Sequence, residues 1–336
     1  MRVTYKEMFN VVRDCLRKHG ADEEIACSSA RNIAENSLCG VYSHGLNRFP
    51  RIISMIKKGR IKPNNRPERV SQAGAFEVWD GKLGMGNTNA IFSMSRAVEL
   101  AKEHGIGCVA LRHTNHWLRG GAFGIQAAAS GCAAICWSTA MPNMPVWGGN
   151  ERRIGNNPLV FCVPYEASFV LFDSAMAQFS YGVMEEVLLD KKMLPVPGGY
   201  DESGVLTTDP DAIAKTWRAL PVGFWKGSGF SLLMDMIAST LSGGKSVREI
   251  GEQGDSPEDE YNVNQIFFAV KIAAKQDISG SVIGEIISDI KSSSLAEGFS
   301  EILYPGEREK QLCAENKKLG IPVNKNIWNR VKVLCV

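Results

Sequence analysis

Through residues 1–60 apolar side chains recur every three to four positions, the spacing that turns one side of an α-helix toward a core. Thr4 followed by Glu7 forms a capping box ahead of "YKEMFNVVRDCLRKHG", and Gly20 stops that helix. Ile25, Ala26, Ala30, Ile33, Ala34 and Leu38 keep the same period through a second helix. A third is expected in "PRIISMIKKG", with Pro50 suited to a first turn and Gly59 to a C-terminal cap. The polar stretch "YSHGLNRFP" lies between the second and third, and "RIKPNNRPERV" reads as a polar connector.

From residue 76 the period changes. "FEVWDG" has the texture of a strand, followed by the glycine-rich turn "GKLGMGN". Ala90, Ile91, Met94, Ala97, Val98 and Ala101 then mark an amphipathic helix ending near Gly105. Strands are predicted over 108–112, 133–139, 159–164 and 169–175. Only "YEAS" separates the last two, too little chain for a parallel crossover, so that pair should be antiparallel. A further strand is expected over 265–272 and a short one over 302–305. Helices are expected over 230–244, 282–298 and 306–320, and in the tail "NKNIWNRVKVL". Residues 186–225 read mostly as loop, a length usually functional or disordered.

The sum is an α+β chain. Residues 1–75 form a helical lobe, with the C-terminal helices of 306–336 packed against it, and residues 76–305 form a mixed-sheet lobe. A length of 336 residues agrees with two lobes, since single cores usually stop growing at about 250–300. There are 38 basic and 36 acidic residues, a net charge of +2, which gives no electrostatic case for nucleic acid or an anionic membrane. The longest apolar candidate for a membrane span, "PLVFCVPYEASFVLF", is broken by Pro164 and Glu166. Charges run through the first twenty residues, unlike a signal peptide. Nine cysteines without a C-x-x-C pair read as reduced thiols, and the expected location is cytoplasmic.

A nucleotide enzyme would first show a phosphate loop. "GIGCVA" matches G-x-G-x-x-A but follows a helix and leads into a strand, the reverse of the dinucleotide fingerprint. "GFWKGSG" lacks the spacing of a P-loop. "RHTNHWLRGG" lies after a strand and before a small-residue helix, where binding residues are common. His113 and His116 without a neighbouring carboxylate or cysteine make a poor metal set, and none is expected. His116 is the better candidate for contacting a substrate or cofactor; packed beneath the loop, it would be structural. Asp173 ends a hydrophobic strand and serves either a turn or a ligand. Lys226 stands between an aromatic residue and two glycines, where backbone approaches a ligand closely, or else is a solvated loop lysine.

His44 and Arg48 in "YSHGLNRFP" are four residues apart and would share a helix face. Imidazole both gives and accepts protons near neutral pH, and arginine grips a carboxylate at two points. Together they suit a 2-oxo acid, with the carboxylate held while the carbonyl oxygen is protonated; the alternative is a polar helix cap.

"GVYSHGLNRFPRII", "HGIGCVALRHTNHWLRGG", "RIGNNPL", "DSAMAQFSYG", "LPVGFWKGSG" and "YPGE" occur in the order found in the malate/L-lactate dehydrogenase-like oxidoreductases, which the chain resembles over nearly its whole length. The resemblance implies a family-specific nicotinamide-binding fold, not a Rossmann fold, with a largely antiparallel mixed sheet flanked by helices. It implies a homodimer with NADH, or alternatively NADPH, near the subunit boundary. In one branch of the family the histidine of S-H-G is assigned as proton donor, which falls on His44; in another the histidine of N-H is proposed, which falls on His116. Ser43 and Arg48 would bind substrate. Cofactor contacts carry over to Phe169, Val170, Leu171, Phe172, Asp173, Ser174 and Ala175, to Trp225 and Lys226, and to Pro305, Gly306 and Glu307. The last group makes independent sense, because Gly306 opens a predicted helix with free N–H groups.

The chain departs from its relatives near the expected pocket. Gly155, Asn156, Asn157 and Pro158 stand for G-T-N-P, Ser138 and Thr139 for T-N, and "DSA" for "DMS". The expected reaction is NADH-dependent reduction of a 2-oxo acid, first 2,3-diketo-L-gulonate, to a 2-hydroxy acid. Malate, lactate, sulfolactate, ureidoglycolate or a cyclic imino acid are alternatives within the family. A nicotinamide-binding dimer without turnover is the alternative outside enzymology.

Overall fold

The computed structural model describes residues 1–253, 259–272 and 276–335. At its N-terminus β1 (Arg2–Val3) leads into α1 (Tyr5–Lys18), α2 (Glu23–Leu38) and α3 (Phe49–Lys57). Thr4 caps α1, its hydroxyl accepting the Glu7 N–H at 3.1 Å. Asp22 does the same for α2 through Ile25. Each helix buries one side. Met8, Val12 and Leu16 of α1 meet Ile25, Ile33 and Ala34 of α2 and Phe49 and Ile53 of α3.

Next come β2 (Glu68–Ala73), β3 (Phe76–Asp80), α4 (Gly86–His104) and β4 (Ile106–Asn115), then α5 (Gly121–Ala129) and β5 (Cys132–Ser138). A small ribbon of β6 (Pro142–Pro145) and β7 (Arg152–Gly155) precedes the hairpin of β8 (Leu159–Tyr165) and β9 (Ser168–Ser174). After α6 (Tyr181–Leu189), β10 (Gly199–Tyr200) pairs with β11 (Leu206–Thr207). Then follow α7 (Pro210–Thr216), α8 (Trp225–Ser242), α9 (Val247–Glu252), β12 (Tyr261–Lys271) and α10 (Gln276–Lys291). The chain closes with α11 (Glu307–Leu319), β13 (Ile321–Pro322) and α12 (Lys325–Cys335). β13 pairs with β1, and Trp328 and Val331 of α12 enter the same core as α1–α3.

The main sheet has seven strands in the order β2-β3-β4-β12-β5-β8-β9. All its neighbours are antiparallel except β3 and β4, which α4 connects. Alternate residues face opposite sides, as the pleat requires. Val109, Leu111 and Phe267 pack under α4 and α5, whereas Ala110, Ile266 and Phe268 face Met234 and Ala238 of α8. The fold is therefore α+β with a largely antiparallel sheet, and the expected 159–175 hairpin is present.

Several expectations need correction. The expected connector ends in a strand: its residues 68–70 belong to β2, an edge strand exposed along its whole length, so no apolar alternation marks it. The stretch 186–225 holds the end of α6, the β10–β11 ribbon and α7, and so is far from loop alone. α8 begins at Trp225 rather than 230, which puts Lys226 in its first turn and not in a loop. Residues 302–305 form no strand. α10 ends at Lys291 instead of reaching 298, because the serine run competes for backbone: Ser292 Oγ donates to the Asp289 carbonyl at 2.7 Å.

Candidate active site

The segment after α2 does not continue as a helix. It makes two single 3-10 turns, Tyr42–His44 and Leu46–Arg48, broken at Gly45. His44 and Arg48 therefore do not share a helix face as predicted. The turns are pinned from α2 instead. The Asn36 amide donates to the His44 carbonyl at 3.1 Å, and the Leu46 N–H donates to Ser37 Oγ at 2.9 Å. A Cβ on Gly45 would lie 2.2 Å from Ser37 Oγ, so only glycine allows this approach.

This places His44 against His116, which follows β4. The rings stack with centroids 5.6 Å apart and planes 12° from parallel. Ser43 Oγ lies 3.2 Å from His44 Nδ1. The Leu118 N–H donates to His116 Nδ1 at 3.0 Å, so the proton of a neutral His116 ring resides on Nε2. Leu118 has φ +71 and His113 has φ +49, left-handed values that bend the chain sharply on both sides of His116.

Burial depresses both imidazoles, and nearby guanidinium groups add to it. His44 falls to about 4 through desolvation, then the charges of Arg48 and Arg119. His116 falls well below its ordinary value through desolvation, Arg48, His44 and Arg51. Both rings are therefore neutral at pH 7 in the free protein. Glu260, on the approach to β12, stands 3.9 Å from Arg48 Nη2 and 3.8 Å from His116 Nε2.

The expected cofactor segments also converge. The Leu171 N–H of β9 donates to the Pro305 carbonyl at 3.0 Å, and a Cβ on Gly306 would meet Leu171 at 3.0 Å. Just beyond β9, Val222 N–H donates to the Met176 carbonyl at 2.9 Å, which brings the start of α8, with Trp225 and Lys226, alongside. Asp173 accepts the Gly121 N–H at 2.7 Å at the start of α5. Desolvation raises its pKa against the opposing pull of Arg119 and that N–H.

Arg119 links the two groups. Its side chain is 3 % exposed, pairs with Glu309 of α11, and acts electrostatically on both His44 and Asp173. Its Nε has no hydrogen-bond partner. Beside it opens a cavity of about 1140 Å³ lined by Asn36, Cys39, Arg119, Phe169, Glu309 and Lys310, among others. The departure at Asn156 has an internal role: its Oδ1 accepts the Asn143 amide at 3.0 Å, beside Asn157, whose Oδ1 accepts the Ala140 N–H at 2.9 Å. Among the described residues no group of three or more His, Cys, Asp or Glu could hold a metal ion.

Sequence reasoning passed over Glu260 and Arg119. Glu260 closes the acidic run "PEDE", which reads as a solvated turn, and Arg119 lies hidden in the quoted "LRGG". The only available signal for Arg119 was its position beside the two glycines that open α5.

The family model for malate/L-lactate dehydrogenase matches residues 3–332. A 2,3-diketo-L-gulonate reductase of Escherichia coli O6:K15:H31 is 42 % identical over 336 residues, covering 99 % of this chain and 100 % of the relative. Among solved structures, malate dehydrogenase from Entamoeba histolytica superposes with a TM-score of 0.94 at 25 % identity, covering 99 % of this chain and 97 % of that one. Sulfolactate dehydrogenase from Methanocaldococcus jannaschii gives 0.90 at 31 % identity, covering 100 % and 96 %.

Proposed function

The chain belongs to the malate/L-lactate dehydrogenase family, and we propose that it reduces the carbonyl of a 2-oxo acid to a 2-hydroxy acid, with 2,3-diketo-L-gulonate giving 3-dehydro-L-gulonate as the leading case. One observation carries this reading: two neutral imidazoles stacked at 5.6 Å with the Arg48 guanidinium acting on both. Arg48 holds the substrate carboxylate, Ser43 orients His44, and His44 delivers the proton to the carbonyl oxygen; His116 is the second candidate for that step. The bound carboxylate offsets the Arg48 charge, which is part of what keeps His44 neutral. Substrate thereby raises the proton affinity of the group that must donate.

NADH is the proposed cofactor, with NADPH the alternative. The large cavity beside Phe169 at the start of β9, the partnerless Arg119 Nε and the convergence of Phe169–Ala175 with Pro305–Glu307 fit a dinucleotide, and Trp225 and Lys226 open α8 alongside the end of β9. When bound, it supplies hydride to the carbonyl carbon. Ser43, His44 and Arg48 belong to the helical lobe of 1–75, joined by α11 and α12, and the cofactor groups belong to the sheet lobe of 76–305, except Gly306 and Glu307 at the start of α11. Phe230, Leu233 and Met236 of α8 are more than half exposed, which supports a homodimer. Nine free cysteines suit the reducing cytoplasm. Malate, lactate, sulfolactate, ureidoglycolate and cyclic imino acids remain the substrates to compare.

The test follows NADH absorbance with 2,3-diketo-L-gulonate for the wild type, His44→Ala and His116→Ala. The wild type should turn over, and His44→Ala should lose about 10²–10⁴-fold in kcat while still binding NADH. Loss in His116→Ala alone would move the proton donor to His116. A silent wild type would remove this substrate and send the screen to the other oxo acids and imines.

A further inference from the structure

Glu260 takes no part in the chemistry above, yet it faces both groups that chemistry depends on. Its Oε1 is 3.8 Å from His116 Nε2 and 3.9 Å from Arg48 Nη2, and its Oε2 accepts the Met141 N–H at 3.2 Å. The side chain is only 10 % exposed, so its charge is poorly screened. His116 offers this carboxylate its protonated nitrogen, because Nδ1 already accepts from Leu118. The other charged or titratable groups around His116 are His44 and Arg48 from the two 3-10 turns and Arg51 from α3, all of which disfavour a proton on the ring. Asp259, next in the chain, is committed to Lys58 at 2.7 Å. Glu260 is thus the carboxylate set against this group of cations.

We propose that Glu260 is a positioning residue: it holds His116 in the Nε2–H tautomer, draws the Arg48 guanidinium toward the substrate site, and makes a proton on the histidine pair tolerable. The inference rests on the proposed reduction. The backbone bond to Met141 fixes one carboxylate oxygen and leaves the other to face both partners. When a substrate carboxylate takes the guanidinium, Glu260 keeps its place beside His116, and two anions then surround the imidazole pair. The arrangement supplies negative charge at the moment a proton must be available. A carboxamide in the same place would preserve the Met141 contact and the shape while removing the charge.

The experiment compares wild type, Glu260→Gln and Glu260→Asp. In the reductive direction activity needs the acid protonated, so kcat/KM falls as pH rises through its pKa. Glu260→Gln should move that falling limb down by about one pH unit and lower kcat more than NADH affinity, which fluorescence titration reads. Glu260→Asp should restore the limb in part. A Glu260→Gln limb at the wild-type pH, with only a uniform drop in rate, would overturn the proposal. Nitrogen-15 NMR of the labelled histidines separates this from failure of the proposed reaction. His116 should show the Nε2–H tautomer in the wild type and a lower pKa in Glu260→Gln whether or not any oxo acid is turned over. An Nδ1–H signal, or an unchanged His116 titration, would reject the role of Glu260 even if turnover is seen.

Discussion

His44 is held neutral by burial and by two guanidinium groups, and that has a cost in acid. In the unfolded chain its pKa lies near ~6.5, whereas in the folded protein it falls to about 4. Between these values the unfolded state binds more protons, so stability is complete above pH ~6.5 and is lost as pH falls toward 4. Allowing for its partial exposure, His44 should account for roughly 2–3 kcal/mol of this loss. His116 acts in the same direction. Urea unfolding at pH 7 and pH 4.5 checks it: His44→Gln should lose distinctly less stability on acidification than the wild type. Equal losses would mean that the ring is solvated and the depression illusory. At this scale the sequence was partly legible. Histidine announces its chemistry by type, so His44 and His116 stand out among five histidines, and Arg48 gains notice only by standing four residues from His44. Glu260 and Arg119 do not, because carboxylates and guanidiniums are ordinary surface residues until burial is known.

At the scale of elements, the site depends on how α2 grips the two turns that follow it. Ser37 Oγ donates to the Ile33 carbonyl at 2.9 Å and accepts from Leu46 at 2.9 Å, which ties the second turn to the last turns of the helix. Gly45 packs directly on this hydroxyl. Gly45→Ala should therefore force the turns away from α2, at about 1–3 kcal/mol, and carry His44 off its stack with His116. Calorimetry should show a lowered Tm, and turnover should fall further than stability explains. An alanine variant with unchanged Tm would show that the turns are not wedged against Ser37. Periodicity located α1–α4 and α12 well, since each buries a regular stripe, and α11 as well, although Asn316 alone of that helix is buried. It failed where no stripe exists: β2 is wholly exposed, and the two 3-10 turns are too short to have a period. The chemistry of His44 and Arg48 and then the resemblance of motifs, not periodicity, marked "SHG" as a site.

At the scale of the whole molecule, α8 poses a question of cover. Met234 and Ala238 press into the sheet, while Phe230, Leu233, Met236 and Ile237 stand 58, 57, 52 and 44 % exposed. A helix apolar on both sides is ordinarily buried on both sides. The sheet's outer end adds Phe161 and Phe172, paired across β8 and β9 and 45 and 43 % exposed. The sequence showed that 230–244 is helical and apolar; it could not show that one apolar side stays uncovered, because that depends on which strands lie beneath. A second copy would supply the missing cover, in the homodimer proposed above. Light scattering should give twice the chain mass for the wild type and a single chain mass for Leu233→Arg, with helical content unchanged by circular dichroism. Trp225 and Lys226 open the same helix, so separating the copies should also weaken NADH binding. A monomeric wild type would leave α8 without a partner and remove the subunit boundary from the cofactor site. A monomeric Leu233→Arg that binds NADH as tightly as the wild type would show that each chain holds its cofactor alone.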